Sequence, residues 1–309
     1  KASHFHAIVA HRRATCRDAV REGGDLNEVV YVNGAYVDRA DARVSVFDRG
    51  FLFADGVYEV CAVLDGRLVD NDAHLARLAR SLAAIELDCP LSREDIVAIQ
   101  RELVARNRLS EGLVYMQVTR GAADRDFAFP DNATPTFVAF AQARRIVGAP
   151  AAETGVAAIS VPDLRWSRRD IKSVALLGQV LAKQAARRAG AAEAFMVEDG
   201  FVTEGASSSV FIVTKAREIV TRPLSTALLP GCTRQAVLAL ANERQMQLVE
   251  RAFTVEEVNA AAECFFTSAT AFVMPVVTLD GRPIGDGKPG PATRRLRDLY
   301  IEAARATAQ

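Results

Sequence analysis

Residues 48–60 read Asp-Arg-Gly-Phe-Leu-Phe-Ala-Asp-Gly-Val-Tyr-Glu-Val and form the most distinctive stretch of the sequence. Two glycines and two aspartates interrupt aromatic and apolar residues immediately before a pattern that is typical of a β-strand. Such a stretch can be a purely structural turn. It also places Tyr58 at the start of a strand beside a turn, where a phenol is able to point into a cleft.

Predicted strands and helices alternate on both sides of this stretch. Tight hairpin turns are predicted at Asn33-Gly34, Asp65-Gly66, Asp199-Gly200 and Asp280-Gly281. Apolar residues at helical spacing predict helices over about 75–85, 92–106, 173–188, 231–245, 254–260 and 291–307. Further strands are predicted over about 112–119, 136–142 and 155–161. Mixed strands and helices with frequent hairpins favour an α/β or mixed α+β fold.

The chain divides at a stretch without hydrophobic periodicity, Val147–Ala152. We therefore predict a small N-terminal domain over residues 28–147 and a larger C-terminal domain over residues 148–309. Residues 1–27 are interpreted as an extension of unknown role. Their arginines are mixed with acidic residues, which matches neither a transit peptide nor a signal peptide.

Composition excludes several classes of function. The 38 basic residues balance 38 acidic ones, so the chain lacks the strongly basic character of nucleic-acid-binding proteins. No uninterrupted apolar run reaches the roughly 18–20 residues of a membrane span. Only one of the four histidines lies beyond the first dozen residues, which argues against a metal site or a Ser-His-Asp triad. Five dispersed cysteines without CxxC pairing predict reduced thiols in a cytoplasmic protein.

Lys172 is a candidate catalytic residue because it is one of only five lysines among the 38 basic residues. Most lysines are solvated surface charges, and this remains one interpretation of Lys172. The residue lies between apolar neighbours at a predicted loop-to-helix junction. An amine in such a place can be desolvated and can form a Schiff base, which a guanidinium cannot do.

A carboxylate and a turn rich in small residues follow in the second half. Glu204 ends a predicted strand before Gly205-Ala206-Ser207-Ser208-Ser209. It can be an ordinary turn carboxylate, or it can face a protonated ring nitrogen while the turn supplies hydroxyl and amide donors. The sequence by itself leaves both interpretations open.

Three further stretches have the chemistry of an anion site. Gly231-Cys232-Thr233 opens an apolar helix, where free backbone N–H groups and a hydroxyl either cap the helix or bind an anion. The turn containing Ser268 and Ala269 has the same two interpretations. Arg77 on a predicted helix is either an exposed salt-bridge residue or a bidentate phosphate ligand. His74, one helical turn earlier, is interpreted as a packing or capping residue.

Taken together and in this order, the motifs resemble the fold-type IV pyridoxal-phosphate enzymes, and among them the D-amino acid aminotransferases. The resemblance extends from about Val29 to the C-terminal helix. Besides residues 48–60, it is carried by Gln117–Gly121, Arg165-Trp166, Asp170–Ser173, Gly178–Gln184 and Val202–Gly205. It implies an α/β fold of two domains with pyridoxal 5′-phosphate bound between them.

The resemblance also assigns roles to residues of this chain. Lys172 would hold the cofactor as a Schiff base and move the substrate proton, Glu204 would pair with the pyridinium nitrogen, and Tyr58 would hydrogen-bond near the Schiff base and the substrate carboxylate. The cofactor phosphate would be held by Arg77, Cys232, Thr233, Ser268 and Ala269. Each role suits the chemistry of the side chain that performs it.

Arg125 aligns with the arginine that binds the substrate carboxylate in the family. In such enzymes its loop reaches the active site of the partner subunit, which implies a homodimer. Three positions depart from the family pattern. Phe127 stands where a histidine usually helps to bind the substrate carboxylate, Ser209 replaces an asparagine, and Ala269 replaces a threonine that helps to bind phosphate.

The function implied by the resemblance is transfer of an amino group from a D-amino acid, such as D-alanine, to a 2-oxo acid, such as 2-oxoglutarate, giving pyruvate and D-glutamate. A branched-chain aminotransferase is the nearest alternative, because it uses the same lysine and glutamate. A lyase of the aminodeoxychorismate type is an alternative from another reaction class, and it needs no oxo-acid acceptor. A cofactor-binding scaffold without activity is disfavoured by the intact set of Tyr58, Arg77, Lys172 and Glu204.

Overall fold

The structure is a computed structural model that describes residues 28–309, so the predicted extension over residues 1–27 lies outside it. Strands from the N-terminal part form a six-stranded sheet in the order β2-β1-β6-β5-β3-β4. They are Val29–Val32 (β1), Ala35–Asp38 (β2), Gly56–Leu64 (β3), Arg67–Leu68 (β4), Glu111–Thr119 (β5) and Thr136–Ala143 (β6). Every pairing in this sheet is antiparallel.

The remaining strands form a nine-stranded sheet in the order β12-β11-β10-β13-β14-β7-β8-β9, with β15 paired to β14. They are Val156–Pro162 (β7), Glu193–Glu198 (β8), Phe201–Gly205 (β9), Ser209–Val213 (β10), Ile219–Thr221 (β11), Leu248–Glu250 (β12), Glu263–Ser268 (β13), Phe272–Leu279 (β14) and Arg282–Pro283 (β15). Three of its pairings, β7 with β8, β7 with β14 and β11 with β12, are parallel. The chain is therefore a mixed α/β protein.

Eight helices of residues 28–309 connect and cover the two sheets. They are Arg49–Phe53 (α1), Asn71–Ala84 (α2), Arg93–Arg106 (α3), Pro150–Thr154 (α4), Leu177–Arg188 (α5), Cys232–Glu243 (α6), Val255–Ala260 (α7) and Pro291–Thr307 (α8). None of the helices in this described part is long and apolar enough to cross a membrane.

Strand β3 holds the two halves of the molecule together because its alternate residues face different cores. Cys61 and Val63 pack in the core of the six-stranded sheet, where the apolar faces of α2 and α3 cover the strands. Ala62 and Leu64 belong to a second core that includes the C-terminal helix α8. The chain end extends this contact, because Gln309 and Leu68 exchange two backbone hydrogen bonds of 2.9 Å. Both faces of β3 are thus buried.

The predicted hairpins are confirmed, and so is the helix over 291–307. The helix predicted from Ser173 is wrong at its start, since α5 begins only at Leu177. Ser173 instead forms a β-bridge with Val57, and the Val174 N–H donates to the Gly56 carbonyl at 3.1 Å. Lys172 therefore lies in a non-helical segment beside β3 and not at a loop-to-helix junction.

Candidate active site

A cavity between the two sheets brings together most of the residues that the sequence singled out. They are Tyr58, Arg77, Lys172, Glu204, Cys232, Thr233, Ser268 and Ala269. The first two belong to β3 and α2 of the N-terminal part, and the last five come from the nine-stranded sheet and its helix α6. The cavity thus opens where the two sheets meet.

Lys172 is fixed by its backbone to the N-terminal part. Its carbonyl accepts the N–H of Tyr58 at 2.9 Å, and its own N–H donates to the Ser81 hydroxyl at 3.2 Å. The Lys172 amine lies 4.1 Å from the centre of the Tyr58 ring, which stacks on Tyr115 at 5.5 Å. A half-buried amine and a phenol therefore share one wall of the cavity.

Glu204 faces the cavity from the end of β9, with only 4% of its surface exposed. One carboxylate oxygen accepts from the Arg165 guanidinium, and the other accepts the Leu229 N–H at 3.1 Å. Burial raises the pKa of Glu204, and the positive charge of Arg165 opposes that shift. A second cationic N–H donor in the cavity would stabilise the ionised carboxylate further.

Arg165 is itself held by a buried carboxylate. Asp163 accepts from Arg165 Nε at 3.0 Å and from Nη2 at 2.7 Å, and it also accepts from the Thr203 hydroxyl at 2.7 Å. The forked donor geometry fixes the guanidinium plane, and with it the direction from which Glu204 is approached. Sequence reasoning quoted Arg165 in a motif but gave it no role, and it missed Asp163.

The end of the cavity beside the start of α6 is built to receive an anion. Helix α6 begins at Cys232 with no side-chain cap on its first N–H groups, so these donors point to the cavity together with the Thr233 hydroxyl. The Thr267 hydroxyl also lines the cavity, and it is buried without a hydrogen-bond partner among residues 28–309. Unpaired buried donors are costly, which indicates that a ligand with acceptor oxygens belongs there.

Arg77 is oriented toward this end by a fully buried carboxylate that sequence reasoning missed. Glu59 accepts from Arg77 Nε at 2.7 Å and from Nη2 at 2.9 Å, and it accepts from His74 Nδ1 at 2.8 Å. Arg77 Nη1 donates to the Pro230 carbonyl at 3.1 Å, just before α6. The interpretation of His74 as a packing residue agrees with this buried position. A charged residue inside the apolar run of β3 was the signal for Glu59.

The protonation states of Glu59, Arg77 and His74 give the anion site a net positive charge. Burial alone would raise the pKa of Glu59, but Arg77 and His74 outweigh it and hold that pKa well below its ordinary range. Burial alone would lower the pKa of His74, but hydrogen bonds with Cys232 and Glu59 outweigh it and raise the pKa to about 9. At neutral pH one anion thus faces two cations, and the excess positive charge lies beside the start of α6.

The residues present fit pyridoxal phosphate. The start of α6, Thr267 and Arg77 form a site for its phosphate, Glu204 can be a partner for a pyridinium N–H, and Lys172 supplies an amine to the same cavity. Gln179 also lines the cavity, and its buried side-chain oxygen has no hydrogen-bond partner in the described part of the chain. Ser209 lines the cavity too, and Ala269, which has no hydroxyl, can contribute only backbone groups there.

Arg125 and Phe127 are not among the residues that line this cavity. Both are exposed in the described chain, and Phe127 has 78% of its surface accessible. The structure therefore separates these two predicted substrate-binding residues from the cavity of this chain.

The fold and the cavity together define a pyridoxal-phosphate enzyme of fold type IV. Comparison with known proteins agrees: the sequence profile of amino-transferase class IV matches residues 56–279. The D-alanine aminotransferase of Bacillus licheniformis is 42% identical over 270 residues, which cover 87% of this chain and 94% of that protein. This chain belongs to the class IV aminotransferase family.

Solved structures of related enzymes share the fold. Escherichia coli branched-chain amino acid aminotransferase matches with a TM-score of 0.83 at 24% identity, covering 90% of this chain and 95% of that one. A hypothetical aminotransferase from Mycobacterium tuberculosis, solved in its PLP-bound form, matches with a TM-score of 0.76 at 25% identity, covering 90% of this chain and 99% of that one.

The charge of His74 makes the stability of the fold depend on pH. Its folded pKa of about 9 lies above the ordinary 6.5, so the stabilisation is complete below pH 6.5 and is lost as the pH rises through 9. Within that window the loss is at most about 1.4 kcal/mol per pH unit. We expect His74→Gln to lower the thermal unfolding midpoint strongly below pH 6.5 and much less above pH 9.

His74 is the one histidine among residues 28–309, so the comparison of the variant with the unmodified protein isolates its titration. A difference in midpoint that stays constant, or that grows with pH, contradicts a protonated His74.

Proposed function

We propose that this protein transfers the amino group of a D-amino acid of the D-alanine type to a 2-oxo acid of the 2-oxoglutarate type. The observation that carries the proposal is the convergence of Lys172, Glu204 and the anion site at the start of α6 on one cavity. The D-alanine aminotransferase relatives support the D stereochemistry, since the chain aligns with nearly their full length. The branched-chain enzyme at 24% identity supports only the fold.

Bound pyridoxal phosphate supplies an electron sink for the electrons released when the substrate Cα–H bond breaks. The Lys172 amine would accept that proton at Nζ, and in the second half of the reaction it would deliver a proton to the Cα of the new amino acid. Glu204, fixed by Arg165 and the Leu229 N–H, would accept a hydrogen bond from the pyridinium N–H and so stabilise the protonated ring. Tyr58, whose ring lies beside the Lys172 amine, would donate a hydrogen bond from its hydroxyl to the substrate carboxylate. The phosphate would be held by Arg77, Thr233 and the N–H groups of Cys232 and its neighbours.

The proposal includes a homodimer in which the loop carrying Arg125 reaches the partner's active site. Its support is that Arg125 and Phe127 lie on the surface, outside the cavity of their own protomer. Large exposed apolar side chains accompany them on both halves of the chain, including Val46, Phe47, Phe51, Leu164, Trp166 and Leu177. An exposed apolar surface of this kind is typical of a face that another subunit covers.

Two further assignments belong to the proposal. The chain divides into domains at residues 28–147 and 148–309, which is supported by the separate sheets on each side of that boundary. The protein acts in the cytoplasm, which is supported by the free thiols of Cys61, Cys89, Cys232 and Cys264.

A coupled assay tests the reaction itself. With D-alanine and 2-oxoglutarate we expect production of pyruvate, followed through reduction by lactate dehydrogenase, and no pyruvate from L-alanine. Turnover of L-leucine with 2-oxoglutarate but not of D-alanine would identify a branched-chain aminotransferase. Pyruvate released from aminodeoxychorismate without any oxo acid would identify a lyase. Either result overturns the proposal.

Lys172→Ala tests the covalent role of the amine. We expect loss of the absorbance band of the lysine-bound cofactor and a fall in turnover of at least about 10³-fold, because nucleophile and proton carrier are lost together. Lys215→Ala is the matched control, since Lys215 is exposed and remote from the cavity. Turnover of Lys172→Ala at the rate of this control would rule out the mechanism.

Mixed dimers test which protomer Arg125 serves. Lys172→Ala has no functional lysine, and Arg125→Ala is expected to bind substrate weakly. If the loop serves the partner's site, co-expressing the two variants restores one complete site per mixed dimer. We then expect each mixed dimer to have about half of the normal kcat per dimer, and its complete site to have a normal KM. If activity stays at the Arg125→Ala level, the loop does not act across the dimer.

A further inference from the structure

Arg49 connects the stretch of residues 48–60 to the loop that carries Arg125. Only 3% of the Arg49 side chain is exposed, and its Nε donates to Asp55 at 2.8 Å. Its Nη1 donates to the Asp126 carbonyl at 2.5 Å, and its Nη2 donates to the Phe127 carbonyl at 3.3 Å. One buried guanidinium thus bridges a carboxylate of its own stretch and two consecutive carbonyls next to Arg125.

The backbone around Arg49 holds the other end of the same loop, which we define as residues 121–128. The Arg49 N–H donates to the Gly121 carbonyl at 2.8 Å, and the Ala123 N–H donates to the Phe47 carbonyl at 3.3 Å. Asp48 forms a β-bridge with Ala122. The 121–128 loop is therefore held at both ends by residues 47–49, while the side chains near its tip are exposed.

The Asp48 side chain anchors this arrangement to the six-stranded sheet. It accepts the Gly50 N–H at 2.8 Å as the N-cap of α1, and it accepts the Thr119 hydroxyl at 3.0 Å. Asp55 also accepts from Arg120 Nε at 2.8 Å. Arg49 thus projects from a short helix whose own position is fixed by β5.

The Arg125 guanidinium lies among aromatic rings that Arg49 helps to place. It is 5.2 Å from the centre of Phe53 and 5.6 Å from that of Phe127, and the two rings are 5.3 Å apart. The Arg49 guanidinium is 4.8 Å from the centre of the Phe53 ring. Stacking on a ring face leaves the N–H edge of a guanidinium available to a planar carboxylate. The Phe127 ring can provide this stacking contact to Arg125, which gives a phenylalanine a role at this position.

We infer that Arg49 is a positioning residue for recognition of the substrate α-carboxylate, acting through Arg125. This inference rests on the proposed function, in which Arg125 binds that carboxylate. Arg49 does not line the cavity and touches no reacting atom. It fixes the two carbonyls beside Arg125 and one of the rings on which Arg125 stacks, so it determines where the Arg125 guanidinium is presented.

Arg49→Lys is the informative substitution. Lysine keeps the positive charge beside Asp55, but a single ammonium cannot reproduce three donors in a fixed fork. We expect KM for both D-alanine and 2-oxoglutarate to rise about tenfold, because both carry the recognised carboxylate, the equivalent of about 1.4 kcal/mol. At saturating substrate we expect kcat within about twofold of normal and an unchanged cofactor absorbance band.

A double-mutant cycle separates positioning from a general structural effect. If Arg49 acts through Arg125, then Arg49→Lys should change KM little in an Arg125→Ala background. Arg297→Lys is the matched control: Arg297 is also buried and donates to backbone carbonyls, including that of Val273 at 2.8 Å, but it does not contact the 121–128 loop. With saturating cofactor we expect it to lower the thermal midpoint and leave KM unchanged.

Three results overturn the inference: a normal KM in Arg49→Lys, KM effects that multiply in the double variant, or the same KM increase in Arg297→Lys. If Arg49→Lys does not fold, Phe53→Leu removes the shared ring and should raise KM in the same way, so a normal KM there also overturns the inference. Failure of the proposed function is a different result, namely an unmodified protein that produces no pyruvate from D-alanine and 2-oxoglutarate.

Discussion

The buried carboxylate of Glu59 is the interaction on which the geometry of the site depends. An ionised carboxylate with no solvent exposure is stable only when cations compensate it, and here Arg77 and His74 do so. The requirement fixes both side chains of α2 against β3, and Arg77 in turn contacts the Pro230 carbonyl ahead of α6. One desolvated charge thus aligns elements of the N-terminal part with the helix start that receives an anion. Removing it would leave the Arg77 guanidinium buried without its carboxylate partner and would favour the neutral form of His74.

The cavity is lined by groups of opposite charge. At the α6 end, helix N–H groups and Arg77 offer positive charge without a nearby free carboxylate, which suits a phosphate. Elsewhere in the cavity wall, Glu204 is an anion whose pKa is raised by burial and restrained by Arg165. A ligand that carries both an anionic group and a protonated nitrogen satisfies both sets of groups, and Lys172 lines the same cavity. This complementarity explains why the cavity suits the cofactor better than it suits a neutral molecule.

Much of the fold could be predicted from the local sequence, whereas contacts between distant residues could not. The turn at Asn33-Gly34 was predictable because both residues adopt positive φ there, which asparagine and glycine tolerate. The start of α5 was not, since the bridge between Ser173 and Val57 spans more than a hundred residues. Resemblance to a family identified Lys172 and Glu204. It did not indicate that Asp163 fixes Arg165. No local sequence pattern shows that the Arg165 guanidinium held by Asp163 also donates to the distant Glu204.

The attachment of Lys172 to β3 has a consequence for how the protein unfolds. The amine follows the six-stranded sheet through its backbone bonds to Tyr58, whereas Glu204 and Thr233 follow the nine-stranded sheet. A ligand that binds all three adds a link between two structural units that are already joined by the packing around β3 and α8 and by hydrogen bonds such as that from Arg77 to the Pro230 carbonyl. Its binding free energy is therefore lost whichever unit opens first, so loading the site makes the melting of both units a single cooperative event.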